Sequence, residues 1–349
     1  MNHAILHEDF DGLIDRLGTR LVCLYDSTIL VTGCYGFIGS YVVDFFAYLN
    51  DRLAPSDRIK IIGLDNFLVG DQERLAHLSR RADIGLYDWD IAAPYHALPR
   101  FVRPYWILNF AGVASPIIYK KYPIETLRVA IHGTWNLLDY IATNGHVCGM
   151  LHMSSSEVYG DSDILPTPES YVGRVPFLGP RSCYDSSKQL SETLCKTYVD
   201  THGINVKVCR PFNIYGPGHK NDGRIIPQLM DAVLNDKPLT IYGDGKATRS
   251  YCYVADAVAQ MLAVLIDGVP GKPYNVGDDG SEVSLIELVE LAQQRFGGRP
   301  RVEFTVDELQ TRDAPSRRRP DITQVRELIG EPMLSLADGL ERTYQSFSA

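Results

Sequence analysis

One run of residues limits the fold of this chain more than any other: Val31-Thr32-Gly33-Cys34-Tyr35-Gly36-Phe37-Ile38-Gly39. It follows a short β-branched, apolar stretch, Thr28 to Val31, and leads into an apolar, helix-like stretch from Phe37 to Leu49. Glycines spaced G-x-x-G-x-x-G between a strand and a helix allow a tight turn, close approach of backbone to a pyrophosphate, and close packing of helix on strand. The helix N-terminus then faces the phosphate charge. The pattern predicts a dinucleotide site, with a purely structural turn as the alternative. A second buried-strand pattern, Arg58 to Leu64, ends in Asp65-Asn66. A carboxylate there accepts hydrogen bonds from ribose hydroxyls and repels a 2′-phosphate, which favours NAD over NADP. The nearest cation for a 2′-phosphate, Arg74, lies further along the chain.

The alternation continues. Trp106–Phe110, Val147–Met153 and Asn205–Cys209 read as strands, and Ile124–Ile141 and Ser182–Tyr198 as helices. Strands alternating with helices imply right-handed βαβ units and a doubly wound parallel sheet of the Rossmann kind. After Arg210 the character changes. Gly and Pro cluster at Tyr215-Gly216-Pro217-Gly218 and Tyr242-Gly243-Asp244-Gly245, and helix-like stretches follow at Ile225–Leu234, Ala255–Ile266 and Leu285–Phe296. The expected division is a cofactor domain over 1–212, to which 249–268 return, and a smaller interleaved substrate lobe over 213–248 and 269–349. Residues 1–26 carry a helical pattern (Phe10, Leu13, Ile14, Leu17) with no assigned role.

Composition narrows the function. A chain of 349 residues is long enough for two domains at roughly 150 residues each. Its net charge is −9, and its longest basic run is Arg317-Arg318-Arg319, so nucleic acid is a poor partner. The seven cysteines lack C-x-x-C spacing and the nine histidines lack ligand spacing. No metal site or disulfide framework is expected, and scattered reduced cysteines fit a cytoplasmic protein. The first residues do not read as a signal peptide. The most apolar short run, Met261–Ile266, falls far below the ~18 residues of a membrane span.

Two local patterns carry chemistry. Tyr184 and Lys188 are four apart and share a helix face. An ammonium beside a phenol lowers a pKa of ~10 and makes tyrosine a usable base. The strand before that helix ends Met153-Ser154-Ser155-Ser156-Glu157. In doubly wound sheets ligands bind beyond such strand ends. If the strand stays regular, Ser155 and Glu157 face the same side.

The glycine loop, the serine-bearing strand end and Tyr184-x-x-x-Lys188 resemble the extended short-chain dehydrogenase/reductase family. Within it, from about residue 28 to the C-terminus, the chain is similar to UDP-glucuronate decarboxylases (UDP-xylose synthases). The stretches that carry this are Asp65-Asn66-Phe67, Ala114-Ser115-Pro116-Ile117-Ile118-Tyr119, Ser156-Glu157-Val158-Tyr159-Gly160, Arg181-Ser182-Cys183-Tyr184-Asp185, Arg210-Pro211-Phe212-Asn213, Asp222-Gly223-Arg224, Thr248-Arg249-Ser250 and Arg318-Arg319-Pro320-Asp321-Ile322. The resemblance implies Ser155, Glu157, Tyr184, Lys188 and Arg318 as catalytic residues. It implies NAD held by Gly33, Tyr35, Gly36, Phe37, Ile38, Gly39, Asp65, Asn66, Asp90, Ile91 and Ala111 together with Tyr184 and Lys188. A nucleotide sugar would meet Tyr119, Ser156, Asn213, Arg224, Tyr242, Arg249 and Arg318. Tyr119 and Asn213 also read as a packed ring and a turn cap, and Arg249 as a salt-bridge partner.

The implied reaction oxidises C4 of a nucleotide hexuronate, loses CO₂ from C5 and returns the hydride, taking UDP-glucuronate to UDP-xylose or a UDP-4-keto-pentose. C4 epimerisation or oxidation of a nucleotide sugar shares the first step, but an epimerase needs no carboxylate at 157. Ser156 stands where 4,6-dehydratases carry an aspartate. A non-catalytic NAD-bound regulator would not need Ser155, Tyr184 and Lys188 intact. Asn109-Phe110-Ala111-Gly112 and Ala130 depart from the family's usual residues. In the family, the two helices that carry Leu127, Ile131, Trp135, Leu138 and Leu190, Leu194, Tyr198 pair across a twofold, so a homodimer is expected.

Overall fold

The computed structural model describes residues 3–94, 103–305 and 316–347. Six strands, β1 (Thr28–Thr32), β2 (Lys60–Asp65), β3 (Ile84–Asp88), β4 (Trp106–Asn109), β5 (Gly149–Met153) and β6 (Val206–Pro211), are joined by Pro273–Val276 in one sheet. The order is Pro273–Val276, β6, β5, β4, β1, β2, β3, and every pairing is parallel. Chain order reverses between β1 and β4, so the crevice of a doubly wound sheet opens beyond the ends of those two strands.

The strands are almost continuously apolar because helices cover both faces. Alternate residues enter different cores. Ile29 and Val31 pack with Val42, Phe45 and Phe46 of helix α2 (Phe37–Asn50). Leu30, Ile62, Ile107 and Met150 pack with Leu137, Leu138 and Ile141. Strand β3 has no counterpart in the sequence reading. It is a half-exposed edge strand, so it lacks the apolar run that marks the central ones.

The unassigned N-terminal segment is a helix, α1 (His3–Leu17). Leu6, Phe10, Leu13 and Leu17 enter the first core. On the same face the buried Asp9 carboxylate accepts hydrogen bonds from the Tyr253 hydroxyl (2.8 Å), Arg342 Nε (2.9 Å) and the Tyr41 hydroxyl (3.1 Å). Burial raises its pKa, with Arg342 opposing.

The stretch expected as one helix over Ile124–Ile141 has three parts. Helix α4 (Pro123–Arg128) follows the short α3 (Pro116–Lys121), a wide π-turn spans Val129–Gly133, and α5 (Thr134–Thr143) completes it. The turn seats Gly133 against Ile91, where a Cβ would lie 2.6 Å from the Ile91 side chain. Helix α6 (Ser182–His202) runs longer than expected and stops at Gly203, which takes a left-handed φ of 65°.

Beyond β6 the chain builds a second region from helix Ile225–Leu234, the parallel pair Leu239–Tyr242 and Val302–Thr305, and a small sheet of Glu282–Ser284, Thr248–Ser250 and Arg317–Arg318. Strand Pro273–Val276, which the expected boundary placed in the second lobe, belongs to the main sheet. Helix Val254–Asp267 packs on that sheet.

Candidate active site

The glycine loop closes as its spacing demands. Gly33 has a φ of 66°, and a Cβ there would lie 2.8 Å from the Ala111 backbone. At Gly39 a Cβ would stand 2.1 Å from the Gly33 carbonyl oxygen, so α2 can begin this close to β1 only without a side chain. The backbone N–H of Tyr35 (2.9 Å) and that of Phe67 (2.9 Å) donate to the Asp65 carboxylate, which ties the loop to the end of β2. Arg74 donates to Ser40 Oγ (3.2 Å) and to the Gly218 carbonyl, and is committed there.

A cavity of about 330 Å³ occupies the crevice. Gly33, Gly36, Phe37, Ile38, Gly39, Asp65, Asn66, Asp90, Ile91 and Ala111 line it, as do Asp222 and Arg224 from the second region. The backbone cradle and the carboxylate at its ribose end fit a dinucleotide. The Tyr35 ring instead packs on Phe67, with centroids 5.1 Å apart.

Strand β5 stops at Met153, and Ser156–Tyr159 form a 3₁₀ turn capped by Ser155. The regular strand expected through Glu157 therefore does not form. Ser155 Oγ accepts from the Glu157 backbone N–H (3.2 Å), and this local bond replaces the strand ladder. Ser155 and Ser156 are both buried. Tyr184, on the first turn of α6, stacks on Tyr119 at a centroid distance of 5.3 Å and 7° between planes. Burial pushes the Tyr184 phenol up to about 12, opposed by a hydrogen bond from Ser155 and by Arg224. Lys188 Nζ donates to the Met153 carbonyl (2.7 Å) and lies 5.9 Å from the Tyr184 ring centre. Burial pulls the lysine down to about 8. The phenol is thus raised where a lowered value was expected, because both groups are desolvated together.

Two arginines hold the Glu157 carboxylate. Arg318 grips it with both terminal nitrogens, Nη1 to Oε1 at 2.6 Å and Nη2 to Oε2 at 2.8 Å. Arg181 Nη2 reaches Oε2 at 2.5 Å. The two guanidiniums hold the carboxyl well below its ordinary range against the effect of burial. Residues 157 and 318 are thereby brought into contact across the chain. Arg249 stands opposite Arg318 in the small sheet and donates to the Thr248 carbonyl (2.7 Å). Burial, with Arg318 nearby, brings Arg249 down to about 10.

Other expected residues hold the frame. Asn213 takes a φ of 40° and donates through Nδ2 to the Ser250 carbonyl (2.8 Å). Arg224 precedes helix Ile225–Leu234 and pairs with Asp222 (Nε to Oδ2, 2.9 Å) at the cavity wall. Tyr242 is 40% exposed, and no hydrogen bond or ion pair joins it to Glu157, Arg318 or Tyr184. Sequence reasoning gave no role to Arg181, which stands in the Arg181-Ser182-Cys183-Tyr184-Asp185 stretch. It also missed the buried His219, stacked on Phe37 at 4.2 Å with Nε2 3.5 Å from Asp222 Oδ2. Neither has a motif of its own, since each matters through a partner distant in sequence.

Fold and cleft define a doubly wound dinucleotide-binding protein whose second region closes over the carboxyl ends of the strands. The model of the NAD dependent epimerase/dehydratase family matches residues 29–277, and the chain belongs to that family. It is 35% identical over 327 residues to UDP-glucuronic acid decarboxylase 5 of Arabidopsis thaliana, spanning 93% of this chain and 90% of that one. It is also 35% identical to UDP-glucuronic acid decarboxylase 1 of Xenopus tropicalis, over 91% of this chain and 72% of that one. Among solved structures it is similar to a UDP-glucose 4-epimerase of Thermotoga maritima with UDP-glucose (TM-score 0.80, 26% identity, 92% of this chain and 98% of that). A dTDP-glucose 4,6-dehydratase of Streptomyces venezuelae with NAD bound is similar too (TM-score 0.79, 28% identity, 92% and 97%).

Proposed function

We propose that this enzyme decarboxylates a nucleotide hexuronate, UDP-glucuronate, by way of a 4-keto sugar. The observation that carries the reading is the Glu157–Arg318 pair set beside Tyr184 and Ser155. The similarity to decarboxylases over more than nine-tenths of the chain supports it. Residues 1–212 with 249–268 would hold the cofactor. Residues 213–248 and 269–349, apart from the main-sheet strand Pro273–Val276, would hold the sugar nucleotide.

With NAD bound, the Tyr184 phenol would be drawn toward phenolate, against its burial, by the nicotinamide's positive charge and the Lys188 ammonium, so that it takes the C4 hydroxyl proton, and Ser155 hydrogen-bonds the same oxygen. NAD, held along the glycine cradle and by Lys188, supplies the hydride acceptor and, once reduced, the donor. Oxidation at C4 makes a β-keto acid of the neighbouring carboxylate. When the C5–carboxylate bond breaks, its electron pair moves into the C4 carbonyl as an enolate, and CO₂ departs. Arg318 orients the carboxylate and stabilises the enolate charge, in a site too dry to screen it. Protonation at C5 and return of the hydride to C4 give UDP-xylose, and release before that return gives the UDP-4-keto-pentose. Asn213, Arg224, Tyr242 and Arg249 would bind the nucleotide end.

We read the protein as a cytoplasmic homodimer. All seven cysteines are free thiols. Ile124 (62% exposed), Trp135 (48%) and Leu190 (44%) remain on the outer faces of α4, α5 and α6 after Leu138 has entered the core. Such a face suits a twofold contact.

Mass spectrometry of the product formed from UDP-glucuronate tests the function. Loss of about 44 mass units (UDP-xylose) or about 46 (the UDP-4-keto-pentose, which also lacks the two hydrogens of the C4 oxidation) supports decarboxylation. Unchanged mass marks epimerisation, loss of two hydrogens marks oxidation alone, and either outcome rejects the proposal.

A further inference from the structure

We propose that Arg181 is a positioning residue that keeps Glu157 ionised while Arg318 turns from Glu157 to the carboxylate of the hexuronate. This rests on the decarboxylase reading. Arg318 engages both oxygens of Glu157 through Nη1 and Nη2, so that edge of the guanidinium is occupied by Glu157. A substrate carboxylate that takes this same Nη1–Nη2 edge displaces Glu157. A nearly buried carboxylate left without a cation takes up a proton. Arg181 prevents this because it holds Oε2 from a different element, at 2.5 Å.

The placement of Arg181 is itself determined. It immediately precedes α6, three residues before Tyr184, and its Nε lies 3.6 Å from Asp185 Oδ2 one turn on. One helix start thus carries both the base and the fixed cation. The groups facing Glu157 are Arg318 and Arg249 from the small sheet, Arg181, Tyr184 and Asp185 from the start of α6, and Tyr119 from α3. Three guanidiniums against two carboxylates leave a positive balance that an incoming anion neutralises. A sugar without the carboxylate leaves Arg318 on Glu157, so the exchange also discriminates hexuronates from neutral hexoses.

The test compares pH profiles of kcat and kcat/KM for CO₂ release from UDP-glucuronate. It uses the NAD-loaded full chain as wild type, Arg181→Gln, Arg181→Lys, Glu157→Gln and the Arg181→Gln/Glu157→Gln pair. Profiles of kcat report the substrate complex and those of kcat/KM the free enzyme. The expected wild-type kcat has no Glu157 limb above about pH 5. Arg181→Gln gains an acid limb in kcat with a midpoint between about pH 5.5 and 7, roughly a tenfold loss at pH 5.5 relative to pH 8. Its kcat/KM keeps the wild-type shape, since Arg318 still guards Glu157 in the free enzyme. Arg181→Lys shows the limb at lower pH than Arg181→Gln. The double variant loses the limb and matches Glu157→Gln within about twofold.

A kcat that falls equally at every pH, or losses that multiply in the double variant, overturns the role. If Arg181→Gln does not fold, Arg181→Lys decides: a limb above the wild-type position supports the role, and a wild-type profile overturns it. A wild type that releases no CO₂ rejects the decarboxylase reading and this role with it. A wild type that releases CO₂ beside variants without the new limb rejects this role alone.

Discussion

Tyr184 and Lys188 show how burial reverses an expectation drawn from charge. An ammonium near a phenol favours phenolate, but here both groups lie in the dry interior, where each charged form is penalised. Tyr184→Phe removes the proton acceptor while keeping the stack on Tyr119. NADH formation and CO₂ release should both fall 10²–10⁴-fold, read by single-turnover absorbance and CO₂ trapping. Glu157→Gln should leave hydride transfer in place and slow loss of CO₂. Because it leaves Arg318 and Arg181 facing a neutral amide, it should also lower the melting temperature. Equal loss of NADH formation in both variants would assign Glu157 to the oxidation step. Lys188 carries a pH signature. Its folded value of about 8 lies below the ~10.4 of an unfolded lysine, so between these values the unfolded chain binds more protons and stability rises with pH. The stability of the cofactor-free protein relative to Lys188→Met should therefore climb from about pH 8 to 10, by on the order of 3 kcal/mol. A difference that stays flat across that range rejects the shift.

At the scale of the element, glycines separate what a turn requires from what it tolerates. Gly39→Ala places a methyl 2.1 Å from the Gly33 carbonyl oxygen, which the junction of β1 and α2 cannot absorb by moving a side chain. Loss of NAD binding by calorimetry and a lowered melting temperature are expected. Gly12, exposed in the middle of α1, has nothing within 4 Å of its virtual Cβ. Gly12→Ala should stabilise by about 0.5–1 kcal/mol in denaturant unfolding, since alanine loses less backbone entropy in a helix. Two alanines of identical chemistry thus have opposite effects, decided by the space each meets.

For the whole molecule, the apolar residues left outside both cores set the expectation of a pair. Light scattering at micromolar concentration should give twice the chain mass. Trp135→Asp with Leu190→Asp should give the single mass, because both residues stand on the exposed helix faces. A wild type that scatters as a monomer rejects the dimer. The N-terminal helix belongs to this scale too. Asp9 joins α1 to Tyr41, Tyr253 and Arg342, the last of them 333 positions away in sequence.

The order of β and α segments, the glycine turn, Asp65 at the end of β2 and the Tyr184–Lys188 face are legible in the sequence because each depends on local spacing. Main-chain geometry and the periods of strand and helix fix these without distant partners. Edge strand β3 was hidden because half exposure erases the apolar run, and the π-turn at Val129–Gly133 because helical periodicity tolerates one widened turn. Only the tertiary structure decides that Glu157 meets Arg318 and Arg181, that Asn213 donates to the Ser250 carbonyl, and that Pro273–Val276 completes the main sheet. These depend on residues brought together from distant segments. The electrostatics of the site follow from that assembly, since the pKa values of Tyr184, Lys188 and Glu157 are set by how much water the folded neighbours exclude and which charges they bring in its place.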